Sequence, residues 1–391
     1  MERLLITGAN GFIGRALCGR LAPDNKVTGI YHKTPPCGSA NLVWEPTDLT
    51  DVSAVTAICK KHSPEIVIHC AGIAHQKVGS VDSSTYMRVN SESTENLARA
   101  ASKVNPDVRL IFLSSVSVYG DGSQINIHRL RRFHRVKNVQ QVEEINVVGE
   151  ESECKPSSDY ARSKLDAERR LIALADEGIL NDLIILRLAP VYDRDWSFNL
   201  DCRVLAPLNI AYIRFGSGLQ RMSALARPNL VDFIEFLIHR LHRFSQIDID
   251  KYPQITQINA DEKYPSPIPL PQGEGARGRV VRQNNPCNQR NLRINIFNVC
   301  DTEAYEFNTL IQVLKNSGIY PNRPVIPVPL PVVWLATRMA GCLLPDKKRW
   351  LHSCYDKLAS SLIFDNERML KTGFRPRHSL QTIFQSTDFA D

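Results

Sequence analysis

The run Arg3-Leu4-Leu5-Ile6-Thr7 passes without a break into Gly8-Ala9-Asn10-Gly11-Phe12-Ile13-Gly14, and nothing else in the chain limits its fold so tightly. A short apolar run reads as a buried strand, and the segment Arg15–Leu21 after the glycines reads as a helix. Each glycine has a distinct reason to be there. Gly8 permits a tight turn, Gly11 lets backbone N–H groups approach a phosphate, and Gly14 lets the helix lie close on the strand. The helix N-terminus then favours negative charge, so the loop is expected to hold the pyrophosphate of a dinucleotide. Gly8, Asn10, Gly11, Phe12, Ile13 and Gly14 are the predicted contacts.

The first 190 residues repeat this strand-helix alternation. Strands are expected at Arg3–Thr7, Lys26–Tyr31, Ile66–His69, Leu110–Ser114 and Leu183–Arg187, with helices at Tyr86–Lys103 and Tyr160–Asp176. The fold class is therefore α/β, a Rossmann-type doubly wound parallel sheet; a smaller C-terminal substrate-binding lobe is expected after it, as the family resemblance given below implies. Residues 1–190 are expected to form the dinucleotide-binding domain. Residues 191–391 are expected to supply mainly the lobe, with some elements returning to the first domain. There the pattern predicts a helix at Leu230–His242, a strand at Ile294–Val299, a helix at Tyr305–Ser317 and, after a proline-rich connector, a helix at Val332–Leu344 that packs on the body. Phe198–Tyr212 gives no clear pattern.

Two stretches interrupt the alternation. Gln124–Glu150 lies where a short connection is usual, and Gln246–Asn291 is too rich in Pro and Gly for helix or strand. Both are expected to be exposed, partly disordered insertions. They also carry the charge. Residues 124–142 hold five basic residues and no acid, and residues 271–293 hold five arginines and Glu274, together more than the +7 of the whole chain. With no aromatic interleaving and no known nucleic-acid module, those arginines read as solvated loops, and no nucleic-acid partner is expected. No apolar run is long enough to span a membrane. Ten cysteines scattered singly, without metal-ligand spacing, and an N-terminus with no secretory pattern point to a cytoplasmic protein with no metal.

Tyr160-Ala161-Arg162-Ser163-Lys164 sets a phenol and an ammonium one helical turn apart on one face. A cation about 4 Å from a phenol favours the phenolate by roughly 4 kcal/mol at an effective dielectric of 20, which would draw Tyr160 toward acid-base work.

The spacing Gly-x-x-Gly-x-x-Gly after a threonine resembles that of the extended short-chain dehydrogenases/reductases, and the resemblance continues downstream. Asp48-Leu49 matches the pair whose acid contacts adenine, Cys70-Ala71-Gly72 matches the cofactor-lining turn, and Ser115 stands at the catalytic hydroxyl position of "SSVSVYG". Asn90 matches an asparagine of the following helix, although Ser93 stands where a glycine is common. Val191, in "RLAPVY", matches the segment beside the nicotinamide, with Asp193 replacing a usual glycine. The nearest branch is the NAD(P)-dependent nucleotide-sugar epimerase/dehydratase family, whose familiar member is UDP-glucose 4-epimerase.

The resemblance implies a catalytic set of Ser115, Tyr160 and Lys164, in which Tyr160 and Lys164 also meet the cofactor. It implies a small-molecule nucleotide sugar as substrate, with Arg221 as the contact to its diphosphate; a homodimer is the candidate assembly. Dehydratases of the family carry Asp-Glu after the catalytic hydroxyl residue, and Val116 and Ser117 stand there instead. A 4-epimerase or 4-ketoreductase is therefore expected. Strand two ends in Tyr31-His32-Lys33, with no acid for a ribose 2′-hydroxyl and with Lys33 available to a 2′-phosphate, which favours NADP over NAD. The alternatives are an inactive dinucleotide-binding regulatory protein and a steroid- or flavonol-type reductase on the same fold. The 45 positions from Ser115 to Tyr160 exceed the family's usual spacing, because the first insertion lies between them.

Overall fold

The computed structural model describes residues 1–34, 42–74, 81–120, 128–136, 139–240, 293–319 and 322–385. The chain opens with β1 (Arg3–Thr7), α1 (Phe12–Leu21), β2 (Lys26–Tyr31), β3 (Leu42–Pro46), α2 (Val52–His62) and β4 (Ile66–His69). Next, α3 (Ser83–Met87) passes through one π-turn at Arg88–Glu92 into α4 (Ser93–Val104), and β5 (Arg109–Ser115) ends in a 3-10 turn, Val116–Tyr119. A hairpin of β6 (His128–Val136) and β7 (Val139–Val148) follows, then α5 (Asp159–Asp176) and β8 (Asp182–Leu188).

Beyond residue 190 come β9 (Val191–Tyr192), α6 (Phe198–Val204), β10 (Tyr212–Phe215), β11 (Arg221–Met222), β12 (Leu225–Ala226) and α7 (Arg227–Arg240). The remainder is β13 (Arg293–Val299), β14 (Tyr305–Glu306), α8 (Phe307–Asn316), β15 (Val325–Val328), α9 (Leu330–Leu343), α10 (Lys348–Ala359), β16 (Ile363–Phe364), α11 (Glu367–Lys371) and α12 (Leu380–Gln385).

Seven strands make one parallel sheet in the order β13-β8-β5-β4-β1-β2-β3. Its faces are set residue by residue. Leu4, Ile6 and Ile68 enter one buried cluster while Leu5 and Val67 enter the other, as the alternation of a strand covered on both sides requires. The order of connection reverses between β1 and β4. A crevice therefore opens at the carboxyl ends of those strands, the place where open α/β sheets bind ligands.

After β8 a separate cluster forms around Tyr192, Tyr212, Tyr305, Phe307 and Phe384. Its polar centre is Asp301, which accepts from Ala226 N and Asn229 Nδ2 through one oxygen and from the Tyr192 and Tyr305 hydroxyls through the other.

The expected strands and helices are present with ends within three residues, but three points need correction. Strand β3 was not anticipated. The Gln124–Glu150 stretch, expected to be an exposed and partly disordered insertion, contains the β6–β7 hairpin, whose register sets Arg131 and Arg132 opposite Glu144 and Glu143. The end of β7 is anchored, since Val147 and Val148 are buried and pair with Ile363 and Phe364 of β16. The buried apolar end of β7 and its pairing with β16 explain how this charged stretch is held to the fold as strand. Third, α9 does not bury its apolar residues against the body; Val332, Leu335, Met339 and Leu343 are more than half exposed. The Gln246–Asn291 stretch lies outside the described residues, as do positions 124–127 and 137–138 of the first insertion.

Candidate active site

The glycine turn has the backbone its sequence implies. Gly8 lies at φ +63°, where a Cβ would come within 2.8 Å of Ala71 N. A Cβ on Gly14 would collide with the Gly8 carbonyl, and one on Gly11 would stand 3.1 Å from the same oxygen. The Gly11 amide donates to Gly8 O at 2.9 Å, and Asn10 Nδ2 braces the turn by donating to Thr34 O at 3.0 Å. α1 begins after Gly11 with no side-chain cap and no acid in its first turn, which leaves its N-terminus suited to a phosphate.

Phe12 is held from the C-terminal side: the Arg227 guanidinium lies 4.4 Å over its ring and pairs with Asp193 and Asp195. Asp193, the departure noted at a usual glycine, is thus the partner that fixes Arg227. Ile13, half-buried, packs against the core beside β1.

The neighbouring strand ends complete the crevice. Thr7 Oγ1 meets His69 Nδ1 at 2.6 Å and accepts from Ala71 N, so the turn Cys70-Ala71-Gly72 is tied to β1. His69 is buried, with Thr94 on its other nitrogen; burial and then the nearby Lys164 hold its pKa down at about 3. It is a neutral tie between strands, not a base. Burial raises the Cys70 thiol well above its ordinary range.

Asn90, inside the π-turn, accepts from Ile73 N and donates to Ile73 O and to Ser163 Oγ. It clamps the β4 turn onto α5, and a Cβ on Gly72 would stand only 3.1 Å from its Oδ1 and 3.4 Å from Lys164 Nζ. π-turns recur at functional sites because they re-aim one side chain.

At the β3 edge, Asp48 accepts from the Thr50 amide and hydroxyl, which hold its carboxyl below the usual range, and lies 3.7 Å from His32. Leu49 packs on the sheet core, and Lys33 is exposed just past the end of β2. Val191 begins β9, half-buried, three residues past β8.

Ser115 ends β5 and caps the following turn by accepting from Ser117 N, and it lies near enough to Tyr160 to influence its phenol. Ser158 caps α5 and so sets the first turn of the helix, where Tyr160 stands. Burial raises the Tyr160 pKa; the nearby Ser115 hydroxyl acts against that rise and the Tyr86 phenol adds to it. The expectation that Lys164 would draw Tyr160 toward its phenolate is therefore corrected. Lys164 Nζ instead donates to Leu113 O at 2.8 Å and lies 4.8 Å over the Phe112 ring. Burial lowers its own pKa to about 8.

Behind α5, Glu168 accepts from Ser114 and Arg187, and Arg187 also reaches the Tyr119 hydroxyl. Sequence reasoning missed this buried pair and missed Tyr86, because a charge in mid-helix and a tyrosine on another helix carry no local signal. Arg221 lies on β11 and pairs with Glu306 of β14 at 3.2 Å.

Residues 4–214 match the NAD dependent epimerase/dehydratase family. The chain belongs to that family. Among its relatives are the UDP-glucose 4-epimerase of Vibrio cholerae, 26% identical over 240 residues, 60% of this chain and 65% of that one. The dTDP-L-rhamnose 4-epimerase of Burkholderia thailandensis is 27% identical over 212 residues, 49% of this chain and 58% of that one. The matched part thus spans less than two thirds of the length of either relative. Methionine adenosyltransferase 2 subunit beta of Mus musculus matches 31% of this chain and 34% of its own at 31% identity.

The fold is that of the UDP-glucuronic acid 4-epimerase from Bacillus cereus in complex with NAD, at TM-score 0.59 and 16% identity over 98% of this chain and 96% of that one. It is also that of the Thermotoga maritima UDP-glucose 4-epimerase with UDP-glucose, at TM-score 0.60 and 18% identity over 98% and 97%. An epimerase/dehydratase family member with this glycine cradle has the frame for a nicotinamide dinucleotide, and among the described residues no helix is long and apolar enough to cross a membrane.

Proposed function

We propose that the chain is an NAD(P)-dependent oxidoreductase that acts at the 4-position of a nucleotide sugar, with Ser115, Tyr160 and Lys164 as its catalytic set. The observation that carries the reading is the placement of Ser115 at the end of β5 and Tyr160 in the first turn of α5, close enough to influence one another, beside the crevice at the ends of β1, β4 and β5. A bound nicotinamide ring would supply or receive the hydride. Ser115 would hydrogen-bond the sugar 4-oxygen and Tyr160 would exchange the proton. Lys164 would turn from Leu113 O toward the nicotinamide ribose, and Gly8, Gly11 and Gly14 would line the pyrophosphate.

As a phenol at the crevice, Tyr160 would give a proton to a 4-ketone in reduction and take one from a 4-hydroxyl in the reverse step. Val116 and Ser117 offer no acid or base for dehydration. Arg221 would exchange Glu306 for the substrate's diphosphate, and Lys33 would favour NADPH through its 2′-phosphate.

The test is loss of absorbance at 340 nm when the protein meets NADPH or NADH and a UDP-4-ketosugar. Wild type should turn over, faster with NADPH. Tyr160→Phe should lose about 100-fold or more in rate while still binding cofactor. Equal, negligible rates for both proteins with every 4-keto and 4-hydroxy nucleotide sugar offered would replace this reading with that of an inactive dinucleotide-binding regulatory protein; one relative is by name a subunit of another enzyme.

A further inference from the structure

We infer that α9 with its flanks is a docking surface for an anionic lipid bilayer. Val332, Leu335, Met339 and Leu343 of this helix are 56%, 54%, 61% and 80% exposed, and Ile326 of the adjoining β15 is 48% exposed. These residues follow one another along a single stretch of chain, which separates them from the scattered exposed apolar residues of any protein surface. The helix is apolar nearly all round, with Thr337 and Arg338 its only polar side chains, and a helix of that composition is ordinarily enclosed. One side is enclosed: Gly341 is buried where a Cβ would meet the stem of Lys348 on α10.

The charge around this face selects its partner. Residues 320–354 carry Arg323, Arg338, Lys347, Lys348 and Arg349 against one acid, Asp346. Arg323, Lys347 and Lys348 are exposed, and the Arg338 guanidinium lies 4.8 Å over the half-exposed Trp334 ring. Apolar side chains flanked by cations, with a tryptophan at the boundary, are what a helix lying in the headgroup layer of an anionic membrane presents. A second copy of this chain fits worse, because a two-fold contact would bring the five basic residues of each copy together with only Asp346 of each to answer them. Residues 271–293 of the same chain, also basic, fit worse for the same reason. At fourteen residues α9 is about 21 Å long, short of the roughly 30 Å of a hydrocarbon core, so it lies in the surface instead of crossing it.

The experiment is co-sedimentation of the full chain with vesicles of phosphatidylcholine alone and of phosphatidylcholine with 30% phosphatidylglycerol, alongside sedimentation velocity without lipid. The protein should pellet with the phosphatidylglycerol vesicles, less so at high salt. Lys347→Glu with Lys348→Glu should weaken that binding about tenfold or more, and Leu335→Asp with Met339→Asp should abolish it. Both variants should keep the wild-type unfolding midpoint and cofactor affinity, which separates lost docking from lost fold. The inference is overturned if neither vesicle binds the wild type, if the variants bind as wild type does, or if Leu335→Asp with Met339→Asp dissolves a dimer seen without lipid. None of these results depends on turnover of a nucleotide sugar.

Discussion

Tyr160 and Lys164 were legible because a helix brings positions four apart onto one face. Their electrostatics were not. The stem of Lys164 runs through the core to place Nζ on a backbone carbonyl, and only the packing of α5 on β5 reveals that. A lysine whose pKa falls from 10.5 to about 8 destabilises the folded chain by about 3 kcal/mol wherever it is charged in both states. The folded state holds fewer protons between those two values, so this cost is full below pH 8 and fades as pH rises toward 10.5. Lys164→Met keeps most of the apolar stem and removes the charge. It should raise the unfolding free energy at pH 7 by about 1–3 kcal/mol in urea titrations, with the gain shrinking above pH 8, while turnover is lost. A variant less stable than wild type at pH 7 would show that the Leu113 hydrogen bond outweighs the desolvation.

Among elements, the N-terminal strand-turn-helix was readable almost residue by residue, since its glycines answer local geometric demands. The hairpin was not, because its stability rests on β16, more than 200 positions away, and on pairing that no local pattern announces. The geometry of α1 separates two kinds of glycine within one helix. Gly14 is packed against Gly8 and Ala9, whereas a Cβ on Gly19 meets nothing within 4 Å. Gly14→Ala should therefore cost about 1–3 kcal/mol and weaken dinucleotide binding, because α1 must move off β1. Gly19→Ala should instead add about 0.5–1 kcal/mol through helix propensity alone. Thermal melts with and without cofactor read both. If the two alanines behaved alike, the close contact of α1 with the turn would not be what fixes the phosphate site.

Across the whole molecule, sequence patterning showed that β13 exists but not what it meets. Glu150, at the end of the first insertion, accepts from Asn298 N of β13 at 2.9 Å and lies 3.7 Å from Arg368 of α11. One carboxyl thus joins the hairpin, the sheet edge and the C-terminal helices. Burial raises its pKa from 4.5 to about 7, against the pull of the Asn298 amide and Arg368. Between those values the folded chain holds the extra proton, so stability falls as pH rises through that window, and the full cost, about 3 kcal/mol, stands above pH 7. Glu150→Gln can still accept from the Asn298 amide and has no charge to desolvate. It should be more stable than wild type by about 1–3 kcal/mol at pH 8 and nearly equal to it at pH 4.5, so that the difference between the two urea midpoints grows across the window. A constant difference at both pH values would mean that Arg368 fully compensates the carboxylate, and that the junction of hairpin, sheet and C-terminal helices holds an ion pair in place of a protonated acid.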